Sequence, residues 1–280
     1  MKRITILLAG ICMALTGLAQ DDSTKVETDT IRVGNMIIIK RRGQNEPPEK
    51  TYRNDRHEAR TYRRNNYKPK NIETNWGIVD IGFANYNDKT AYGTGEAALF
   101  APGLVKDDFK LIPGKSSNVS VWVVMQRMNL IKHVVNLKYG AGFESINFRY
   151  KRPIKYETDP KTLVVKDMVN HYEKNKLVTE YVTVPMMLNF NFTPKREKGF
   201  GFSVGASAGY LFASRQKTVT DEDGKRKTRD DFDLRPWKLS YIAELSLGPV
   251  IIYGSYASKS MFEKGLDQTP YAVGFRLANW

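Results

Sequence analysis

The chain has 280 residues, with 44 Lys and Arg against 30 Asp and Glu, a formal net charge of +14 and one cysteine. A lone cysteine excludes an internal disulfide and any cysteine-built metal centre. Past the N-terminal leader no apolar run approaches the ~20 residues that a membrane-spanning helix needs, which excludes a helical membrane protein.

The first residues have the three parts of an export signal. Lys2 and Arg3 form the charged end, Ile4 to Leu18 the apolar stretch, and Gly17-Leu18-Ala19 a small-x-small cleavage site, so the mature chain is expected to start at Gln20. The apolar stretch is short for a membrane anchor. Cys12 follows Ile11, where a lipoprotein site would have a small residue. Residues 1–19 are therefore read as a signal peptide, and the chemistry of nucleic-acid binding as excluded by export.

Residues 20–74 read as a basic periplasmic extension. Thr30 to Ile39 predicts a short hairpin with Gly34-Asn35 as its turn. Residues 40–70 then hold eleven bases (Lys40, Arg41, Arg42, Lys50, Arg53, Arg56, Arg60, Arg63, Arg64, Lys68, Lys70) against four acids, a net of +7. So few aliphatics cannot bury enough area to offset ordering, which predicts a tether. Two readings stay open for it: a solvated linker, or an element that binds a periplasmic protein or cell-wall anions at about 1 kcal/mol per cation near an anionic surface.

From residue 75 the pattern changes to apolar alternation at a period of two, in eight segments: 76–86, 117–128, 133–150, 177–192, 200–212, 237–247, 250–257 and 270–280. The clearest is the fifth. Phe200, Phe202, Val204, Ala206, Ala208, Tyr210 and Phe212 alternate with Gly201, Ser203, Gly205, Ser207 and Gly209. In the second, Val119, Val121, Val123 and Met125 are expected on the outer face. In the third, the apolar residues change parity after Ser145 to Ile146, Phe148 and Tyr150, which predicts a bulge or emergence from the membrane. Pro185 sits inside the fourth and demands an edge, a bulge or a missing ladder bond. In the link before the seventh, Gly248-Pro249 makes a tight turn. In the link after the fifth, Asp223-Gly224 reads as a hairpin tip in water.

The connections alternate long and short, ending in one of medium length. This predicts an all-β fold, an eight-stranded antiparallel transmembrane β-barrel over residues 75–280, with short turns in the periplasm and long loops outside. A soluble lipocalin-like barrel is the alternative, with its bulky face turned inward. Glycine and serine on the polar face favour the membrane barrel, because they suit a crowded interior. Parity then places Asp80, Lys138, Glu144, Lys238, Glu244 and Arg276 inside. Three acids and three bases are expected to neutralise one another as an ion network that fills the lumen.

The sequence carries no recognisable catalytic or ligand motif. His57, His133 and His171 have no metal-ligand spacing. Gly93-Thr94-Gly95-Glu96 is followed by no phosphate-loop lysine, and no helix is expected there. No cofactor is expected and no catalytic residues are assigned.

Three segments carry a family resemblance: EYVTVPMMLNFNF (180–192), GFGFSVGASAGYLF (199–212) and GPVIIYGSYASKSMFEKG (248–265). They resemble strands of the PorT-like outer-membrane β-barrel proteins of Gram-negative bacteria. The resemblance covers about residues 75–280, leaves out the basic extension and carries over no catalytic residue. It implies outer-membrane lipid as surroundings and barrel assembly machinery as an insertion partner. Trp280 is out of phase with Phe275 and Leu277, so two readings stay open: the last two residues bend away, or Phe275 serves as the terminal aromatic signal. The expected function is a non-enzymatic scaffold, tied to secretion or the envelope, that binds partners. The alternatives are a narrow pore or small-ligand transporter and a lipid-modifying barrel enzyme.

Overall fold

The computed structural model describes residues 30–33, 36–39, 67–196 and 198–277. The chain divides into two units, Met1–Asp55 and Arg56–Trp280. In the first, β1 (Thr30–Val33) pairs antiparallel with β2 (Met36–Ile39), from Thr30 opposite Ile39 to Val33 opposite Met36. The predicted signal peptide and most of the predicted tether lie outside the described residues.

The second unit is an up-and-down ring. Its eight wall strands are β3 (Ile72–Asp88), β4 (Ser117–Ile131), β5 (Val135–Arg149), β8 (Tyr172–Asn191), β9 (Phe200–Thr220), β11 (Trp237–Leu247), β12 (Val250–Ala257) and β13 (Gln268–Leu277). Each pairs antiparallel with the next. The circle is closed by β13 on β3, with Arg276 opposite Asp80 and Gly274 opposite Gly82. Closure leaves no unpaired strand edge in the wall, which is what allows a sheet to sit in lipid.

The alternation decides which face is which. Trp237, Tyr241 and Phe275 are 58%, 67% and 53% exposed, whereas Ser203 and Asn118, on the other face, are each 1% exposed. Bulky side chains therefore point outward, the reverse of a soluble barrel. Their band ends in two aromatic belts. At the long-loop end stand Phe83, Phe143, Tyr210, Phe212, Trp237, Tyr256 and Tyr271. At the short-turn end stand Trp76, Phe192 and Phe200. Along β9 the belts are about ten residues apart, roughly 25 Å at ~3.3 Å per residue and ~40° of tilt, the height of a membrane barrel's apolar band.

Short turns close one end. Gly248 takes φ +69° in the two-residue turn between β11 and β12, and Lys132 and His133 take φ +46° and +59° between β4 and β5. Left-handed backbone at these positions matches the twist of paired strands.

One detail differs from the sequence reading, and two points it left open are decided. A register shift between Trp122 and Val124 makes Val123 the extra residue of a bulge. The shift flips parity, so Met125 faces inward at 1% exposure rather than outward. In β5 there is no bulge at Ser145: Ile146 and Phe148 share the inward face with Lys138 and Glu144, and the interior itself turns apolar. Pro185 sits in a gap of the β5–β8 ladder, which pairs Tyr139 with Met186 and then Gly142 with Thr183. The missing ladder bond is the way this proline is accommodated.

The long connections are not bare links. The first carries a helix, α1 (Gly95–Phe100), at the glycine segment where none was expected, and a 3-10 turn, Lys106–Phe109. The second carries an antiparallel pair, β6 (Ile154–Glu157) and β7 (Leu163–Lys166). In the third, β9 runs on to Thr220 and returns as β10 (Gly224–Arg229), with exposed residues 221–223 at the tip. Residues 278–280, including Trp280, lie outside the described residues, and Phe275 faces outward.

Candidate functional site

The inward face carries all six ions read from parity, each between 1% and 9% exposed. They form two neutral groups. In the first, Arg276 reaches Asp80 through two parallel bonds, Nε to Oδ1 at 2.7 Å and Nη2 to Oδ2 at 2.8 Å. Its Nη1 lies against Glu244, which also accepts from Lys138. The Trp122 indole donates to Asp80 at 2.6 Å. In the second group Lys238 donates to Glu144 at 2.6 Å, and its ammonium stands 4.8 Å from the centre of the Tyr181 ring. Asn118 donates to Glu144 at 2.9 Å and accepts from Tyr253 at 2.7 Å.

The geometry comes from a repeated spacing. β5 holds Lys138 and Glu144, and β11 holds Lys238 and Glu244, each a lysine six residues before a glutamate. The two strands are antiparallel and face each other across the lumen. The lysine of each therefore meets the glutamate of the other, tying opposite walls together twice. A buried charge is tolerable only when paired and hydrogen-bonded, and both conditions hold here. A cavity of about 40 Å³, lined by Ser120, Ser207 and Ile242 among others, touches Glu144 of one group and Glu244 and Arg276 of the other.

Glycines on the wall make room for the large interior groups. A Cβ on Gly142 would sit 2.9 Å from the Trp122 ring, and one on Gly82 would sit 2.6 Å from the Tyr253 hydroxyl.

Above the ions the lumen is filled by an aromatic core to which every long connection contributes. Phe100 and Phe109 come from the first, Tyr150, Ile154 and Tyr156 from the second, Phe232 from the third, and Met261 and Phe262 from the fourth. They pack on Tyr86, Phe148, Leu177 and Tyr181 of the wall. Tyr156 stacks on Phe262 with ring centres 6.3 Å apart and meets Phe232 edge-on at 5.3 Å. Polar contacts dock the β6–β7 hairpin. Gln216 donates to the Ile154 carbonyl at 2.9 Å and accepts from the Tyr156 amide at 3.0 Å, while Asn175 donates to the same carbonyl at 2.6 Å. Burial pushes the Tyr156 hydroxyl well above its ordinary pKa, so it stays protonated and hydrogen-bonded to Tyr150 at 2.8 Å.

Of the other residues singled out in the sequence, the described ones lie apart from this site. His133 is in a short turn, and His171 is exposed, its amide donating to Glu222. No cluster of three or more metal-binding side chains occurs among the described residues. Lys68 and Lys70 are exposed. Lys40, Arg41, Arg42, Arg53, Arg56, Arg60, Arg63 and Arg64 lie outside the described residues. Sequence reasoning missed the aromatic seal, as well as Asn118, Trp122 and Tyr253. The last three stand at inward parity in their strands, a signal that was present. The seal residues come from irregular segments, where no period marks them.

An apolar outer band between aromatic belts, around a filled polar interior, defines an outer-membrane β-barrel. Residues 81–256 match the family model described as outer membrane protein beta-barrel domain, and the chain belongs to that family. No curated protein matches the chain.

Proposed function

We propose that this outer-membrane barrel is a non-enzymatic scaffold, closed to solutes. Its long loops stand outside the cell, and its basic N-terminal extension binds a periplasmic protein or cell-wall anions. The observation that carries the reading is the double closure of the lumen. Ion pairs tie β5 to β11 across the middle, and an aromatic core fed by all four long connections fills one mouth. Eight strands leave room for little beyond their own side chains. The alternation of long and short connections supports the orientation, with both ends of the wall, Ile72 and Leu277, at the short-turn side. The resemblance to PorT-like proteins favours a partner in secretion or envelope machinery, beyond the assembly machinery needed for insertion.

Two measurements test this. The full mature chain in planar bilayers should show no steady open-channel conductance; porin-like conductance would overturn the closed-scaffold reading. Affinity capture from intact membranes should recover an envelope partner that is lost when residues 40–70 are deleted. Unchanged recovery would make that segment a linker.

A further inference from the structure

The wall is uneven at the long-loop end. β8 and β9 are 20 and 21 residues long, against 11 and 8 for β11 and β12, and they rise past the aromatic belt with β5 and β10 beside them. The outer face of this raised wall is cationic. Register places Arg149, Lys176, Lys217 and Lys227 in one cross-strand row over β5, β8, β9 and β10. Arg215 and Lys174 flank the row on either side. Their outward direction follows from alternation, since Asn175 and Gln216 between them are inward and each 2% exposed.

Like charges directly opposite one another on a sheet are destabilising, so a row of four is not what folding alone would favour. The neighbouring acid Glu180 is already held by Arg215 at 2.8 Å. Burial, then Lys174, Lys217, Arg215 and Arg149, bring Lys176 down to about 8 from the usual lysine range. Arg149 donates through Nη2 to the Glu173 carbonyl at 2.7 Å and pairs with no carboxylate among the described residues.

Height narrows the ligand. On the same strands the lipid-facing band ends at Phe143 and Phe212. Arg215 and Arg149 lie three and six residues beyond, roughly 8 and 15 Å above the hydrocarbon at ~3.3 Å per residue and ~40° of tilt. That is the level of lipid headgroups and the polar layer just above them.

We propose that this raised outer face binds the phosphate groups of lipid headgroups in the leaflet at the long-loop end. The identification of that leaflet as the outer one rests on the orientation proposed above; the binding does not. The test uses the full mature chain in detergent, with bisphosphorylated lipid A and its dephosphorylated form as probes. The first should bind at least tenfold more tightly. The triple variant Lys176→Gln, Lys217→Gln, Lys227→Gln should weaken it about a hundredfold, at roughly fivefold per cation near an anionic surface. Heat-modifiable gel migration of the variant checks that the barrel is folded, and Lys176→Arg should keep the affinity. Equal binding of the two lipids, unchanged affinity in the folded triple variant, or complete displacement by ~10 mM inorganic phosphate would overturn the proposal. Labelling of cysteines placed in the long loops of intact cells reads the orientation separately.

Discussion

Single residues show how unequal the interior positions are. Lys238 and Glu144 are buried against each other at 2.6 Å. Lys238→Met leaves a carboxylate buried without its cation and should cost about 3–5 kcal/mol, while adding Glu144→Leu should recover most of that. Urea unfolding from lipid vesicles measures both; equal losses in the single and double variants would refute the coupling. Gly142→Val should also destabilise, because the new Cβ meets the Val121 carbonyl and the Trp122 Cα of the next strand before it meets the Trp122 ring. Lys176 gives a pH dependence of the opposite sense to a stabilising ion pair. Its pKa, brought down to about 8 in the folded chain, lies below the ordinary lysine value of 10.5, so between the two the unfolded chain holds more protons. This lysine's contribution therefore makes stability rise with pH across that window, and its charge opposes folding below 8. Unfolding midpoints measured from pH 7.5 to 10 should climb, and Lys176→Met should flatten the climb.

At the level of elements, the strands of the wall were legible because each carries its own period. β11 and β12 begin and end where alternation places them, at Trp237–Leu247 and Val250–Ala257. Met125 was misplaced because one extra residue, Val123, reverses every later side chain of β4, and a bulge leaves no mark in composition. Pro185 advertised an irregularity without saying which kind; the gap in the β5–β8 ladder does. The β6–β7 hairpin was invisible as an element, since its short strands pair only with each other and hold their place through Gln216 and Asn175. Replacing residues 153–167 by a short Gly-Ser linker removes Ile154, Tyr156 and Val164 from the seal. The barrel should still insert, as judged by heat-modifiable migration, but should then admit small solutes in a liposome-swelling assay. A tight barrel after the deletion would show that the ion network alone closes the lumen.

For the whole molecule, the consequence of closure is rigidity. Neighbouring strands are tied by ladders, and β5 and β11, which are not neighbours in the ring, are tied by two buried ion pairs. Hydrogen exchange should therefore be slowest in β5, β11 and β13 and fastest at the exposed β9–β10 tip; uniform exchange along β9 would contradict this. The sequence by itself determined the class: the eight alternating segments and the six inward ions follow from periods of two, which depend only on backbone geometry. Tertiary structure alone decided which ion meets which and what seals the mouth. Lys138 finds Glu244, 106 residues away, because ring closure sets two antiparallel strands face to face. The aromatic core gathers side chains from four separate loops because each is too small to bury them alone. Such contacts depend on where closure brings distant segments, and no local pattern records that distance.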